Sequence, residues 1–350
     1  MKTRRVLVLH TGGTIGMEPS ADGYRPMRGF AGRVREVLLR HAGGALPDFD
    51  VIELDTPIDS ANLRPASWRA MADALIAHWE AYDGFVVLHG TDTLAWSASA
   101  LSFMLRGIDK PVIFTGSQIP LAQARSDALA NLEAALLLAA RFPVNEVGVF
   151  FGRQLLRGNR SSKLSSDAFD AFGSPNYPPL ADVGIDVRLH AERLLPPTAR
   201  NFVVPYFADA AVSVLTLYPG VSGRMLDALI DERATRGLIL RSYGAGNAPD
   251  TDGGLMAALE RAVARGVVVL NITQCTSGSV VPGAYATGAA LSRIGVVPGG
   301  DMMLEAAFAK LHFLLATERD DAQVCATAAT PLCGELTVAN ALHTTPLHLQ

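Results

Sequence analysis

The sequence predicts an α/β fold of two domains: a larger N-terminal one on a parallel sheet and a smaller C-terminal α/β one. Three observations point there. Short continuous apolar runs alternate with segments of helical period through the first half. The alternation resumes after a loop-rich interval. The length, 350 residues, suits two domains at ~100–200 residues each. The expected division is 1–195, a linker at 196–210, and 211–350.

In the first half the expected strands are Val6–His10, Val51–Leu54, Phe85–His89, Val112–Thr115 and Val147–Phe151. Strands buried on both faces read as unbroken apolar runs rather than alternating ones. Pro65 suits the first turn of a helix, and Trp68, Met71, Ala72, Leu75 and Ile76 then recur at helical spacing. A second helix is expected over about 94–105, stopped by Gly107, and a third over about 126–140. Residues 152–195, rich in Arg, Ser, Asn, Pro and Gly, read as hairpins and loops. In the second half the expected strands are Val212–Leu217, Gly237–Leu240 and Val267–Ile272, with helices near Met225–Glu232 and Leu255–Ala264. A long apolar helix near Met303–Leu315 reads as core, with an interface as the alternative.

Composition excludes several classes. Hydrophobic residues make up 49% and charged residues 18%, so neither half has the makings of disorder. The formal net charge is −4 without a basic run, so no nucleic-acid footprint is present. The three cysteines, Cys275, Cys325 and Cys333, are widely spaced without a CxxC, against a disulfide framework or zinc cluster and for a reducing, cytoplasmic setting. Val6–Leu9 is too short for the apolar region of a signal peptide. No run approaches the ~20 apolar residues of a membrane span. No HExxH occurs and the eight histidines are scattered, so neither a metal nor a cofactor is expected.

Ligands of open α/β sheets bind beyond the carboxyl ends of the strands, and three polar segments fall there or nearby. The first strand runs into His10-Thr11-Gly12-Gly13-Thr14-Ile15-Gly16. A dinucleotide fingerprint would need glycine where Thr11 stands. The remaining readings are a plain turn and a loop that presents Thr14 as a nucleophile. The third strand ends in His89-Gly90-Thr91-Asp92-Thr93. Thr and Asp are favoured helix caps, and the N–H groups of a helix start also suit a developing oxyanion. Then comes Arg157-Gly158-Asn159-Arg160-Ser161-Ser162-Lys163. It reads either as a basic surface loop or as a source of a lysine base. A hydroxyl nucleophile needs such a base, and a lysine serves when its surroundings favour the neutral amine.

TGGTIG, HGTDT and RGNRSSK in this order resemble the bacterial L-asparaginase family. TGGT and HGTDT match its two signatures, about 77 residues apart. Asp83–Thr93, Ala98–Leu105, Thr115–Leu121, Leu238–Pro249 and Thr273–Cys275 are similar to its cytoplasmic (type I) branch. The likeness covers nearly the whole chain and is weakest at roughly 190–210 and in the last dozen residues. It implies two α/β domains, the N-terminal one catalytic, with help from a neighbouring subunit. Thr14 falls on the nucleophile and Tyr24 on a tyrosine of a mobile loop that closes over substrate. Thr91, Lys163 and Asp92 fall on a second threonine with its lysine and aspartate, and Lys163 beside Asp92 is expected to form a buried pair. Asp92 also matches the ligand of the substrate's α-ammonium and Ser60 that of its α-carboxylate; Gly13, Asp59, Gly90, Thr91 and Ser117 match the rest of the substrate site. Ala61 stands where periplasmic relatives commonly have glutamine, which leaves selectivity open.

The resemblance implies L-asparagine as substrate, a cytoplasmic enzyme, and a homodimer or a homotetramer made of two dimers. Some members of the branch are activated by asparagine at a second site. Ser162, Arg241, Asn247, Thr273 and Cys275 match that region, with ordinary interface packing as the equal alternative. Rival functions are a dual asparaginase–glutaminase, since one methylene discriminates by only ~1–3 kcal/mol, and a catalytically silent asparagine- or aspartate-binding protein. The amidase subunit of a tRNA-dependent amidotransferase would carry a segment before the first strand, which here begins at residue 6.

Overall fold

The computed structural model describes residues 4–21, 23–42, 45–230, 234–250, 253–281 and 286–337. It divides into two compact units, residues 1–209 and 210–350. The first contains, in order, β1 (Arg5–His10), β2 (Met17–Ser20), β3 (Gly23–Pro26), α1 (Phe30–Ala42), β4 (Asp48–Glu53), α2 (Pro65–Ala77), β5 (Gly84–Leu88), α3 (Leu94–Met104), β6 (Leu105–Arg106), β7 (Val112–Thr115), α4 (Ala128–Arg141), β8 (Val147–Phe151), β9 (Gln154–Arg157), β10 (Ser162–Lys163), β11 (Phe172–Gly173), β12 (Ala181–Val183), β13 (Val187–Leu189) and β14 (Asn201–Phe202).

Among the described residues its main sheet has eight strands in the order β13-β12-β9-β8-β7-β5-β1-β4. β4, β1, β5, β7 and β8 run parallel; β9, β12 and β13 add an antiparallel edge. The parallel strands are apolar throughout because both faces are covered. Val6, Val8, Val86, Leu88 and Ile113 pack with α1 and α4, through Phe30, Val34, Leu38, Leu132 and Leu136. The alternate residues Leu7, Leu9, Phe85, Val87 and Phe114 are buried as well, and Phe85 stacks on Trp79 at 4.8 Å. Every residue of α3 except Trp96 is buried, as its apolar composition requires. Pro65 does open α2, whose Trp68, Met71, Ala72 and Leu75 are buried.

Several elements went unread in the sequence. α1 has Arg33, Arg35 and Arg40 between its apolar residues, which disguises its stripe. The loop after Thr14 is a hairpin, with Pro19 opposite Tyr24 and Glu18 opposite Arg25. Within the stretch read as a linker, Asn201–Phe202 pair with β6, and Phe202 packs edge-on against Trp79 at 4.9 Å.

The second unit contains β15 (Val212–Thr216), α5 (Gly223–Ile230), β16 (Gly237–Ser242), α6 (Gly253–Ala264), β17 (Val268–Thr273), α7 (Ala286–Arg293), β18 (Val297–Pro298), α8 (Leu304–Thr317) and α9 (Asp321–Ala328). Its strands form a parallel sheet in chain order. Positions 231–232, at the end of the first helix expected in this half, lie outside the described residues. α5 and α6 pack on Leu238, Leu240 and Val269, while α8 lies against β15, β16 and β17. α8 is buried core of this unit, Lys310 included, and that lysine forms an ion pair with Glu335. No helix among the described residues is long and apolar enough to cross a membrane.

Candidate active site

The five parallel strands of the first unit lie in the order second, first, third, fourth, fifth. The order reverses between β1 and β5, the place where open α/β sheets bind ligands. The TGGT loop leaves β1 and the HGTDT loop leaves β5, so both motifs stand on the two sides of that switch point.

Glycines let these loops touch. Gly12 and Gly13 have φ of 120° and 88°, a region that residues with a Cβ rarely enter. A Cβ on Gly13 would sit 2.3 Å from Gly90 Cα, and one on Gly90 would sit 2.5 Å from Ser60 Oγ. Three loops, after β1, β4 and β5, thus meet through backbone that only glycine permits. Thr11 N–H and Thr11 Oγ1 both donate to Leu88 O, at 3.0 and 2.9 Å, and Ile58 N–H donates to Thr11 O at 2.7 Å. Thr14 opens a single 3₁₀ turn, half-buried, and its hydroxyl makes no hydrogen bond among the described residues. This is far more constrained than a plain turn.

Thr93 is the N-cap of α3, yet no side chain caps that helix. The Thr93 hydroxyl donates to Ser60 O at 2.8 Å instead. Thr91 and Asp92 turn to Lys163, whose Nζ donates to Thr91 Oγ1 at 2.9 Å and to Asp92 Oδ1 at 2.8 Å. The Thr91 hydroxyl in turn donates to Gln118 Oε1 at 3.3 Å. Helix capping therefore does not account for this motif, and Lys163 is not a free surface lysine. One expectation needs correction: the pair is not buried. Lys163 is 20% exposed and Asp92 61%, because Asp92 lies where the chain turns outward from the sheet into α3.

Tyr24 is on β3, 55% exposed, and its phenol oxygen accepts from Gln123 Nε2 at 2.5 Å. No hydrogen bond joins Tyr24 to Thr14 among the described residues. Asp59 caps the turn Ser60–Asn62, accepting from Ala61 N–H and from Asn62 Nδ2 at 2.9 Å. Ser60 and Ser117 are buried, and the Ser117 hydroxyl has no hydrogen-bond partner among the described residues. The residues matched to a second site fall in both units. Ser162 is on β10. Arg241 on β16 donates to Thr216 Oγ1 at 3.4 Å, Asn247 closes a turn on Tyr243, and Thr273 Oγ1 accepts from the backbone of exposed Cys275.

The residues that brace these loops left no signal in the sequence. His89 is buried; its Nδ1–H donates to Gly90 O at 2.8 Å, which leaves Nε2 to accept from Ser97 Oγ at 2.9 Å. Burial pushes its pKa down to about 4, against the opposing hydrogen bond to Gly90, so the imidazole is neutral. Asp127 accepts the N–H groups of Gln118 and Ile119 at 3.0–3.1 Å, and Asn131 Nδ2 donates to Gly116 O at 3.0 Å. Gln118 is thereby fixed against Thr91. Among the described residues no cluster of side chains could hold a metal.

Residues 5–195 match the family model "Asparaginase, N-terminal", and residues 211–327 match "Glutaminase/Asparaginase C-terminal domain". The chain is a member of the asparaginase family. It is 45% identical to L-asparaginase 1 of Escherichia coli K12, over 96% of this chain and 99% of that one. The crystal structure of L-asparaginase I from Vibrio cholerae superposes with a TM-score of 0.87 at 42% identity, covering 96% of this chain and 99% of that one. A human 60 kDa lysophospholipase is 38% identical over 89% of this chain and 58% of its own length. The asparaginase N-terminal match contains Thr14, Tyr24, Thr91, Asp92 and Lys163 together.

Proposed function

We propose that this member of the asparaginase family is an amidohydrolase that converts L-asparagine to L-aspartate and ammonia. The observation that carries the reading is Lys163 Nζ held between Thr91 Oγ1 and Asp92 Oδ1 at 2.9 and 2.8 Å, on the loop after β5 that touches the Thr14 loop through Gly13 and Gly90.

In this reading Thr14 Oγ1 attacks the side-chain amide carbon and gives up its proton as the C–O bond forms. The tetrahedral intermediate collapses with loss of ammonia, which takes up a proton, and leaves a β-aspartyl ester on Thr14. Water then attacks the ester carbon, aspartate leaves, and the proton returns to Thr14. Tyr24 and the chain Thr91–Lys163–Asp92 are the proton carriers of the two halves. Tyr24 must leave Gln123 to serve, so the hairpin β2–β3 closes over bound substrate and excludes water until ammonia has gone. The exposed Asp92 carboxylate suits an α-ammonium, and Ser60 an α-carboxylate. Gly13, Asp59, Gly90 and Ser117 complete the pocket. No metal or cofactor enters these steps.

The same proposal takes residues 1–195 as the catalytic domain, a homodimer or homotetramer as the working state, and the cytoplasm as its place. Arg241, Asn247, Thr273, Cys275 and Ser162 would bind asparagine as an activator. A dual asparaginase–glutaminase is the second reading, favoured by the description of the C-terminal family model.

Ammonia release from L-asparagine and L-glutamine, measured across concentration with Thr14→Ala alongside, tests all of this. Turnover of asparagine that vanishes in the variant is expected, and a sigmoidal curve is the mark of the activator site. No release in a single turnover from either amide would leave a silent binding protein.

A further inference from the structure

His10, the last residue of β1, is a buried titratable group that the proposed chemistry does not use. Its ring lies under the base of the hairpin that carries Tyr24. Gly16, where the hairpin begins, has its Cα so close that a Cβ would meet His10 Nε2 at 2.7 Å. Phe30, where α1 begins just after the hairpin, lies against the imidazole with ring centroids 4.0 Å apart. Met27 N–H donates to Gly16 O at 2.8 Å and closes the base, while Gly16 N–H donates to Gly13 O at 3.1 Å and ties it to the Thr14 turn.

Glu53, the register partner of His10 on β4, completes the arrangement. One of its oxygens accepts from Ala31 N–H at 3.2 Å, and the other lies 3.6 Å from His10 Nδ1. Both ring nitrogens are buried without a hydrogen bond among the described residues. The neighbours from the other elements are apolar or backbone: Leu88 on β5, Phe30 on α1 and Gly16 on the turn. Among the described residues Glu53 is the one charged group that faces the ring.

A neutral ring can turn its one N–H, at Nδ1, toward Glu53 3.6 Å away and leave bare Nε2 against Gly16; protonation adds a second N–H, at Nε2, against that wall, where no acceptor lies among the described residues. A buried donor without an acceptor is destabilising, and the nearest relief is movement of the Gly16 corner. We infer that His10, with Glu53, is a positioning residue for Thr14 and for the Tyr24 hairpin, and that it holds both only while its imidazole is neutral. The inference rests on the amidohydrolase reading for its activity readout alone. Burial pushes the His10 pKa below the ordinary histidine value, with Glu53 opposing. Its contribution is therefore present above the ordinary value and is lost as pH falls through the lowered one.

The test is kcat/KM for L-asparagine between about pH 4.5 and 8, spanning the histidine range, in the unmutated protein, His10→Gln and Glu53→Gln. The unmutated protein should lose about tenfold per pH unit on its acid side, as one essential neutral base requires. His10→Gln should lack that limb until His89, with its pKa of about 4, begins to titrate. Glu53→Gln keeps an acceptor for Ala31 and should move the limb to lower pH, because the charge that favours imidazolium is gone. It also decides the matter if His10→Gln does not fold. Hydrogen exchange at Met27, corrected for the intrinsic effect of pH, should show protection lost on the same limb. An acid limb unchanged in both variants, or activity lowered equally at every pH, would overturn the inference. If no protein turns over asparagine, the amidohydrolase reading fails and the exchange profile alone decides the role of His10.

Discussion

Among the described residues are two lysine–carboxylate pairs of nearly equal length in opposite surroundings. In the first unit Lys163 lies 2.8 Å from Asp92, with exposures of 20% and 61%. In the second, Lys310 lies 2.7 Å from Glu335 and both are fully buried. Lys310 spends its three donors on fixed oxygens: Glu335, Ala328 O at 2.9 Å and Thr330 O at 2.5 Å. Glu335 also accepts from the backbone of Leu332 and Cys333 at 2.9 and 2.8 Å. That network fastens residues 328–335 to α8 and has no acceptor to spare. Lys163 has Thr91 and Asp92 as partners among the described residues, and its carboxylate faces solvent, where a charged ligand can reach it. The same kind of ion pair is a rivet where it is saturated and open to a ligand where it is not.

Lys163→Met should sharpen that contrast most. It should lower kcat for asparagine by about 10³-fold, within the range for loss of a general acid–base group, with little change in thermal unfolding. Lys163→Met with more than a tenth of normal kcat would break the comparison from the catalytic side. Lys310→Met comes next and acts on stability. Removing one partner of a buried pair costs about 3–5 kcal/mol, read in the denaturant transition that unfolds the second unit, while kcat per folded molecule stays near normal. Adding Glu335→Leu should recover only part of the loss, because the N–H groups of Leu332 and Cys333 then go unpaired. The smallest effect on stability belongs to Asp92→Asn. Exposed pairs are worth about 0–1 kcal/mol, so its unfolding midpoint should barely move while KM for asparagine rises and kcat falls. A loss of stability as large as that of Lys310→Met would show the two pairs to be alike.

Most of the sheet was legible because its strands are buried on both faces and so appear as unbroken apolar runs. α1 was not, since its arginines interrupt the stripe, and β2–β3 was not, since Glu18-Pro19 and Tyr24-Arg25 lack a buried alternation. Thr14 and the HGTDT segment could be found from glycines and hydroxyls at strand ends. Lys163 could be tied to them only through resemblance, because 71 residues separate it from Asp92. Asp127 was read as part of a helix start. It does occupy the N-cap of α4, but its carboxylate serves the N–H groups of Gln118 and Ile119 and the Asn131 side chain rather than the backbone of its own helix. Side chains that brace a loop of another element leave no periodic trace in the sequence.

The glycine contact between Gly13 and Gly90 has a bearing on how activity appears during folding. The two residues follow β1 and β5, hydrogen-bonded neighbours in which His10 lies opposite Leu88. A slip of one residue between these strands would turn one strand's side chains to the wrong face. It would also carry the glycines apart by a strand rise of about 3.3 Å. A chain that has merely collapsed cannot bring the two loops together. Recovered turnover after dilution from denaturant is therefore a clock for strand registration, and it should start late, in a single step, when the central sheet locks.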